Sequence, residues 1–296
     1  MNFSLNQALK IFLIFACAIG VASASIIITN KNNNNAKSKN DSLWNVVDES
    51  SDSNDTSTES KVGDIVSKTE SQVGKYADID GDGTVDGIIF ADLLIGGCTS
   101  YGSNTYGYNE YSVPSITSSK DYYVSQKNYT NKLGGTADVL TPTGEGNDRF
   151  YVMALSDIVS NYHSWYEAVG PKSNTITDYG ITSEEFGAGK QNTLTMIDKW
   201  NNNAYGEQSQ NDIWGQIQDE VNKGWFVPSS KEWGVFAGKL KIPFQADTKG
   251  MEASYWTSSV GRYGTDCTST AIILSEGLIK SSFCSDFYNL RLATTF

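Results

Sequence analysis

The chain has 296 residues, of which 12% are aromatic and seven are tryptophan, which is enough apolar surface for a sizeable buried core. A formal net charge of −12 repels a phosphate backbone and argues against nucleic acid as a partner. The single histidine, His163, rules out a His-rich zinc site by count, and no Gly-x-Ser-x-Gly elbow accompanies it.

At the N-terminus, Lys10 precedes an apolar run that opens at Ile11, and Ala22-Ser23-Ala24 forms an A-x-A cleavage pattern, the signature of a signal peptide. Ile26, Ile27 and Ile28 prolong the run. At about 1.5 Å per residue it then barely spans a hydrocarbon core of about 30 Å, so residues 1–28 read as a signal peptide or a signal anchor. Either way the rest of the chain lies outside the cytoplasm, secreted or held at the cell surface. Residues 29–60 are crowded with Asn, Ser, Asp and Thr and hold one small apolar island, "SLWNVV". Such a segment cannot offset its ordering entropy and is expected to be a disordered stalk. Residues 61–296 are read as one globular domain.

That domain opens on "DIDGDGTVDG". With Asp78 as the first position, Asp80, Asp82, Thr84 (through its carbonyl) and Asp86 fall at the third, fifth, seventh and ninth places of a calcium loop, with Gly83 at the sharp turn. Ile89 stands where the twelfth, bidentate Glu would be, and the flanks read as strand or turn instead of two helices. The expected cofactor is therefore a structural calcium ion that pins the first strand.

Further along, "DGIIFADLLI", "RFYVMAL", "SYWTSS", "STAIILS" and "LRLATTF" read as strands, and "KQNTLTMIDKWN", "NDIWGQIQDEVNKG" and "PSSKEWGVFAGKL" carry helical spacing. Ser229 and Glu232 make a capping box for the last of these. The fold class is α+β, with long Gly/Ser/Asn/Tyr loops carrying much of the mass. His163, among the aromatics of "SNYHSWY", reads as a packed or exposed side chain, and Glu184 and Glu185 after Thr182-Ser183 read as acids at a helix start. "FGAGKQN" is not a P-loop, since no Ser or Thr follows the Lys. With Cys17 in the export segment, Cys267 and Cys284 are candidates for a disulfide in an oxidising compartment, closing a loop of about 17 residues that contributes about 3 kcal/mol in the chain-entropy model and leaving Cys98 over; Cys98, Cys267 and Cys284 all unpaired is the alternative.

The last seventy residues or so add a motif order. Trp225, Pro228, Ser229, Glu232 and Trp233 of "GWFVPSSKEW", then Tyr255, Trp256, Thr257, Ser258 and Ser259 of "SYWTSS", then Arg291 of "LRLATTF" resemble the pattern of C-type-lectin-fold proteins of the formylglycine-generating-enzyme type. From about Asp78 onward the chain also looks like a group of bacterial surface proteins whose C-terminal segment is the variable region of a diversity-generating retroelement. The resemblance implies a C-type-lectin-like domain, an adhesin-like scaffold whose final strands and loops present substitutable residues to a ligand. The binding face would be Val260 to Asn289, with Arg262, Tyr263, Thr265, Asp266, Thr268, Lys280, Ser281, Phe283, Asp286 and Tyr288 toward the ligand and Trp233, Phe236 and Trp256 in the core. Tyr and Arg are residue types that dominate binding hot spots. The ligand would be a protein or glycan on another cell or a phage. Enzymatic relatives place their reactive cysteines much closer together than Cys267 and Cys284, and the Glu-Pro-Asn and Trp-Asn-Asp signatures of sugar-binding lectins do not occur. The reading is a binder and not an enzyme; a secreted hydrolase acting on glycans or peptides, or a structural coat subunit, is the alternative.

Overall fold

A computed structural model describes residues 63–104, 107–169, 181–243, 249–263, 266–274 and 276–296, all within one compact unit, Val62–Phe296. The export segment and stalk expected at 1–60 lie outside the described residues. Among the described residues no helix is long and apolar enough to cross a membrane.

The fold is mixed α+β and mostly sheet. Its strands are β1 (Tyr76–Ala77), β2 (Gly87–Asp92), β3 (Gly97–Asn104), β4 (Gly107–Val113), β5 (Asp121–Asn131), β6 (Gly134–Thr143), β7 (Phe150–Ala154) and β8 (Val159–Ser164), followed after the helices by β9 (Ser254–Tyr263), β10 (Asp266–Ile273), β11 (Leu278–Phe283), β12 (Phe287–Leu290) and β13 (Ala293–Thr295). The helices are α1 (Gly189–Asn201), α2 (Ile213–Gln216), α3 (Gln218–Asn222) and α4 (Ser230–Lys239). One sheet runs β13-β7-β2-β1-β6-β5, a second β11-β10-β9-β12-β8, and β3 pairs with β4 alone. All pairings are antiparallel except β1 with β6 and β9 with β12.

The apolar run of β2 is buried at every residue because β1 and β7 flank it and side chains cover both its faces. Its Ile88 and Phe90 join Trp233 and Phe236 of α4 and Tyr255 of β9 in one core, while Ile89 joins Phe150, Val152 and the terminal Phe296 in another. A third core gathers Trp165, Trp214, Met196 and Trp256. Of the large apolar side chains of α1 it is Met196 that is buried, whereas Leu194 is 46% exposed. The "NDIWGQIQDEVNKG" pattern forms two short helices that break at Ile217 (φ −108°), with Ile213 and Ile217 still buried.

Residues 97–143 correct the expectation that loops make up much of the mass: they form β3, β4, β5 and β6. Their composition looks loop-like because β5 leaves much of its length exposed and, among the described strands, β3 and β4 pair only with each other, so polar side chains fill positions that a buried strand would give to aliphatics.

Two buried acids tie these layers together. Arg149 donates Nε to Asp92 Oδ1 (2.9 Å) and Nη2 to Oδ2 (2.8 Å), and Nη1 and Nη2 also donate to the carbonyls of Ser67 and Glu70. Asp92 also accepts from the Gln72 and Leu94 amides, so both charges of this fully buried pair are satisfied. Asp212 accepts from Ser164 Oγ, Trp200 Nε1 and the amides of Glu167 and Ser209, which fastens α1, β8 and the turn before α2.

Candidate metal loop and binding face

The aspartate loop joins β1 to β2, which pair antiparallel as Tyr76↔Ile88 and Ala77↔Gly87. Asp78 is buried; its Oδ1 accepts the Gly81 amide (2.9 Å), and its Oδ2 accepts the Gly83 amide (3.1 Å) and Thr141 Oγ1 (3.3 Å). Gly81 and Gly83 take φ of +77° and +89°, the left-handed region that glycine occupies without a Cβ penalty. Carboxylate oxygens of Asp78, Asp80 and Asp86 lie within 4.8 Å of one another, a spacing that suits a cation with oxygen ligands at about 2.3–2.6 Å. Asp82 is exposed and outside this trio; its Oδ1 accepts the Thr84 amide (2.6 Å), so Asp82 and Thr84 shape the turn. Ile89, at the twelfth position, is wholly buried in the core and offers no ligand.

Burial pushes the Asp86 carboxyl above its ordinary range, and the neighbouring charges of Asp80, Asp78 and Asp82 add to that, against a lowering by the Ile79 amide (2.7 Å to Oδ2). A cation held between these oxygens would relieve the repulsion. The donor set can therefore hold a metal ion. Asp86 and Asp80 also border a cavity of about 540 Å³ with Glu220, Lys223 and Trp225, and Asp86 borders an adjoining one of about 320 Å³ that reaches Asp157. Sequence reading did not connect these segments, which are brought together only by the pairing of distant strands.

The three motifs of the C-terminal half converge on one point. The Trp233 and Tyr255 rings stack at 5.0 Å with an interplanar angle of 29°, and the Arg291 guanidinium lies 5.7 Å from the Tyr255 ring centre. Arg291 Nε donates to Asp157 Oδ1 (2.7 Å), and Tyr255 OH donates to Asp157 Oδ2 (3.2 Å). Trp233 Nε1 donates to the Trp256 carbonyl (3.1 Å), and the Ser258 amide to the Pro228 carbonyl (2.8 Å). Trp233, Phe236 and Trp256 are fully buried.

The capping box is complete. Ser229 Oγ accepts the Glu232 amide (3.3 Å), and Glu232 Oε2 accepts the Ser229 amide (2.6 Å). Glu232 is wholly buried, and its Oε1 also accepts the Gly187 and Gly189 amides. Burial raises its carboxyl to about 7 despite these donors. Glu184 and Glu185 do not start a helix, because α1 begins only at Gly189; Glu185 instead pairs with Lys231 at 2.5 Å.

The expected binding face falls on β9 to β12. Arg262 and Tyr263 end β9, and Asp266 and Thr268 lie on β10, paired as Asp266↔Tyr263 and Thr268↔Gly261. Thr265 lies outside the described residues, and the side chains of Arg262, Tyr263, Asp266, Cys267 and Thr268 are outside them too. The β10–β11 register begins at Thr268↔Phe283, and Cys284, next in the chain after β11, is buried. Lys280 is exposed and 3.8 Å from Glu276. Asp286 Oδ2 accepts the Phe283 amide (3.1 Å) and shapes the turn into β12. Tyr288 packs edge-on against Trp256 at 4.7 Å with its hydroxyl 3.0 Å from Ser282 Oγ, so its ring belongs partly to the core. Lys280 and Ser281 border a cavity of about 360 Å³ whose other walls are β4 and the start of α4. His163 is buried, with Nδ1 3.3 Å from the Asn211 carbonyl.

Comparison of the chain with family models, with curated proteins and with solved structures finds no match.

Proposed function

We propose that this chain is an exported, surface-displayed binding protein. Its C-type-lectin-like domain presents a diversified face, Val260 to Asn289, to a protein or glycan ligand on another cell or a phage. In this reading residues 1–28 direct export and tether or release the chain, residues 29–60 are a stalk, and calcium in the Asp78–Asp86 loop braces the domain. The observation that carries the scaffold is the convergence of Trp233, Tyr255 and Arg291, each from a different motif, on one buried stack. What supports binding is the position of Lys280 and Ser281, on an outer strand beside a cavity, above a core that does not depend on them.

The test is to probe the purified full chain on immobilised glycans and on a library of linear peptides, with Lys280→Ala, Phe283→Ala and Asp286→Ala made singly. The expected result is capture of a ligand that at least one of the three weakens by about tenfold, or about 1.4 kcal/mol, while the melting temperature stays within a few degrees. A captured ligand that none of the three affects would place binding elsewhere.

A further inference from the structure

The chain enters the domain along a strap, residues 64–74, that precedes β1 and meets the six-stranded sheet in two ways. Its first residues lie along the outer edge of β5: the Val124 amide donates to the Asp64 carbonyl (2.9 Å) and the Val66 amide to the Tyr122 carbonyl (2.9 Å). The ion pairs here, Lys127 with Asp64 and Lys68 with Asp121, are exposed on both sides, and pairs of that kind contribute little. The approach is close, since a Cβ on Gly63 would fall 1.9 Å from the Val124 carbonyl oxygen.

Beyond Val66 the contacts are of another kind. Arg149 Nη1 donates to the Ser67 carbonyl (2.8 Å) and Nη2 to the Glu70 carbonyl (3.1 Å), while Asp92 Oδ2 accepts the Gln72 amide (3.1 Å). Gln72 Nε2 donates to the Glu70 carbonyl (2.7 Å), and the Gly74 amide to the Ile89 carbonyl (2.8 Å). Arg149, Asp92 and Gln72 are all buried. Lifting the strap therefore takes three backbone partners at once from a charge pair in the interior, where such groups are costly to leave unsatisfied. The pair bridges β2 and β7, whose ends meet at Asp92↔Phe150, so the strap is fastened to the middle of the sheet as well as to its edge.

We propose that residues 64–74 form a latched strap: Arg149 and Asp92 fasten it at Ser67–Gln72, and this buried latch, not the edge pairing with β5, bears the pull that a surface tether puts on the domain. The source of the pull rests on the export reading above; the latch itself does not.

The test follows native-state amide exchange in the full chain, with Arg149→Lys and Gly63→Ala beside the parent. In the parent, the Gln72 and Gly74 amides are expected to exchange within about tenfold of Ile272 in the middle of β10, because a latched strap opens only with the domain. Arg149→Lys keeps the charge but loses the fork, and should speed both amides about a hundredfold relative to Ile272. Gly63→Ala should speed Val66 and Val124 by about tenfold and leave Gln72 unchanged. A parent Gln72 that exchanges a hundredfold faster than Ile272, or that Gly63→Ala frees as much as Arg149→Lys does, would overturn the latch. Should Arg149→Lys not fold, pulling the parent between handles at Ser60 and Lys280 decides. The chain should not lengthen before the domain opens, and an early step of up to about 40 Å, the length of the extended strap, would overturn the proposal. A chain found untethered in cells would overturn the source of the pull and leave the latch standing, so the two readings fail separately.

Discussion

Glu232 concentrates several roles in one side chain. It closes the capping box and, through three backbone amides, ties the turn before α1 to the start of α4. Glu232→Ala strands those amides in a buried site, and at about 1–3 kcal/mol for each unsatisfied group the loss should be at least about 3 kcal/mol, read as a fall in the denaturation midpoint. The carboxyl also sets a pH dependence. Its folded value, about 7, lies above the ordinary 4.5, so the folded state binds the extra proton between them. The stability it contributes is full below about 4.5 and is lost as pH rises toward 7. Denaturation midpoints across that window should fall less steeply for Glu232→Gln than for the parent chain; an unchanged slope would mean that another group sets it. Asp86 follows different logic, because burial and, after it, the neighbouring carboxylates raise it, and a cation would counter both. Chelation should lower the melting temperature, and calcium at a hundred times its dissociation constant should contribute about 2.7 kcal/mol. Asp78→Asn should abolish that response, whereas Asp82→Asn, outside the trio, should only weaken it.

At the scale of elements, α4 was legible because its start signal is local: Pro228, Ser229 and Glu232 announce it without reference to the rest of the chain. The buried strands β2 and β7 were legible for the same reason, as short apolar runs between polar punctuation. Strands β3 to β6 were not, because β6 is buried only by pairing with the distant β1, while β3, β4 and β5 pair only with adjacent strands among those described and carry Ser, Thr, Asn and Tyr where they are exposed. The aspartate loop was readable as a spacing of candidate ligands, but only the folded loop gathers Asp78, Asp80 and Asp86 and leaves Asp82 aside. The expectation of a binding face that includes β11 rests on motif order. Its cavity partners on β4 have no local signature, since they meet Lys280 only through the docking of two hairpins. The ion pairs make a further test between elements. Arg149→Met leaves Asp92 as a buried, uncompensated charge and should cost about 3–5 kcal/mol, while exposed Lys127 beside Asp64 should tolerate replacement with little change in midpoint.

Across the domain, a buried lock stands apart from the exposed positions of the proposed face. Trp233, Tyr255, Arg291 and Asp157 lock the helix, the sheet and the chain end together, and β13 returns the C-terminus to β7, where Phe296 packs against Phe150 and Tyr122. The Tyr122 hydroxyl donates to the Phe296 carbonyl at 2.6 Å. Removing the last residue should therefore destabilise the fold, measurable as a lower melting temperature for a chain ending at Thr295. Exposed positions such as Lys280 stand outside this lock, so substitution there should leave folding intact. That separation is what a diversified binder requires. The most direct test is to sequence the DNA flanking the gene. The account predicts a near-copy of the codons for Val260 to Asn289, differing mainly at adenines, beside a reverse transcriptase. A flanking region with no such copy, and the same codons in every isolate, would contradict it.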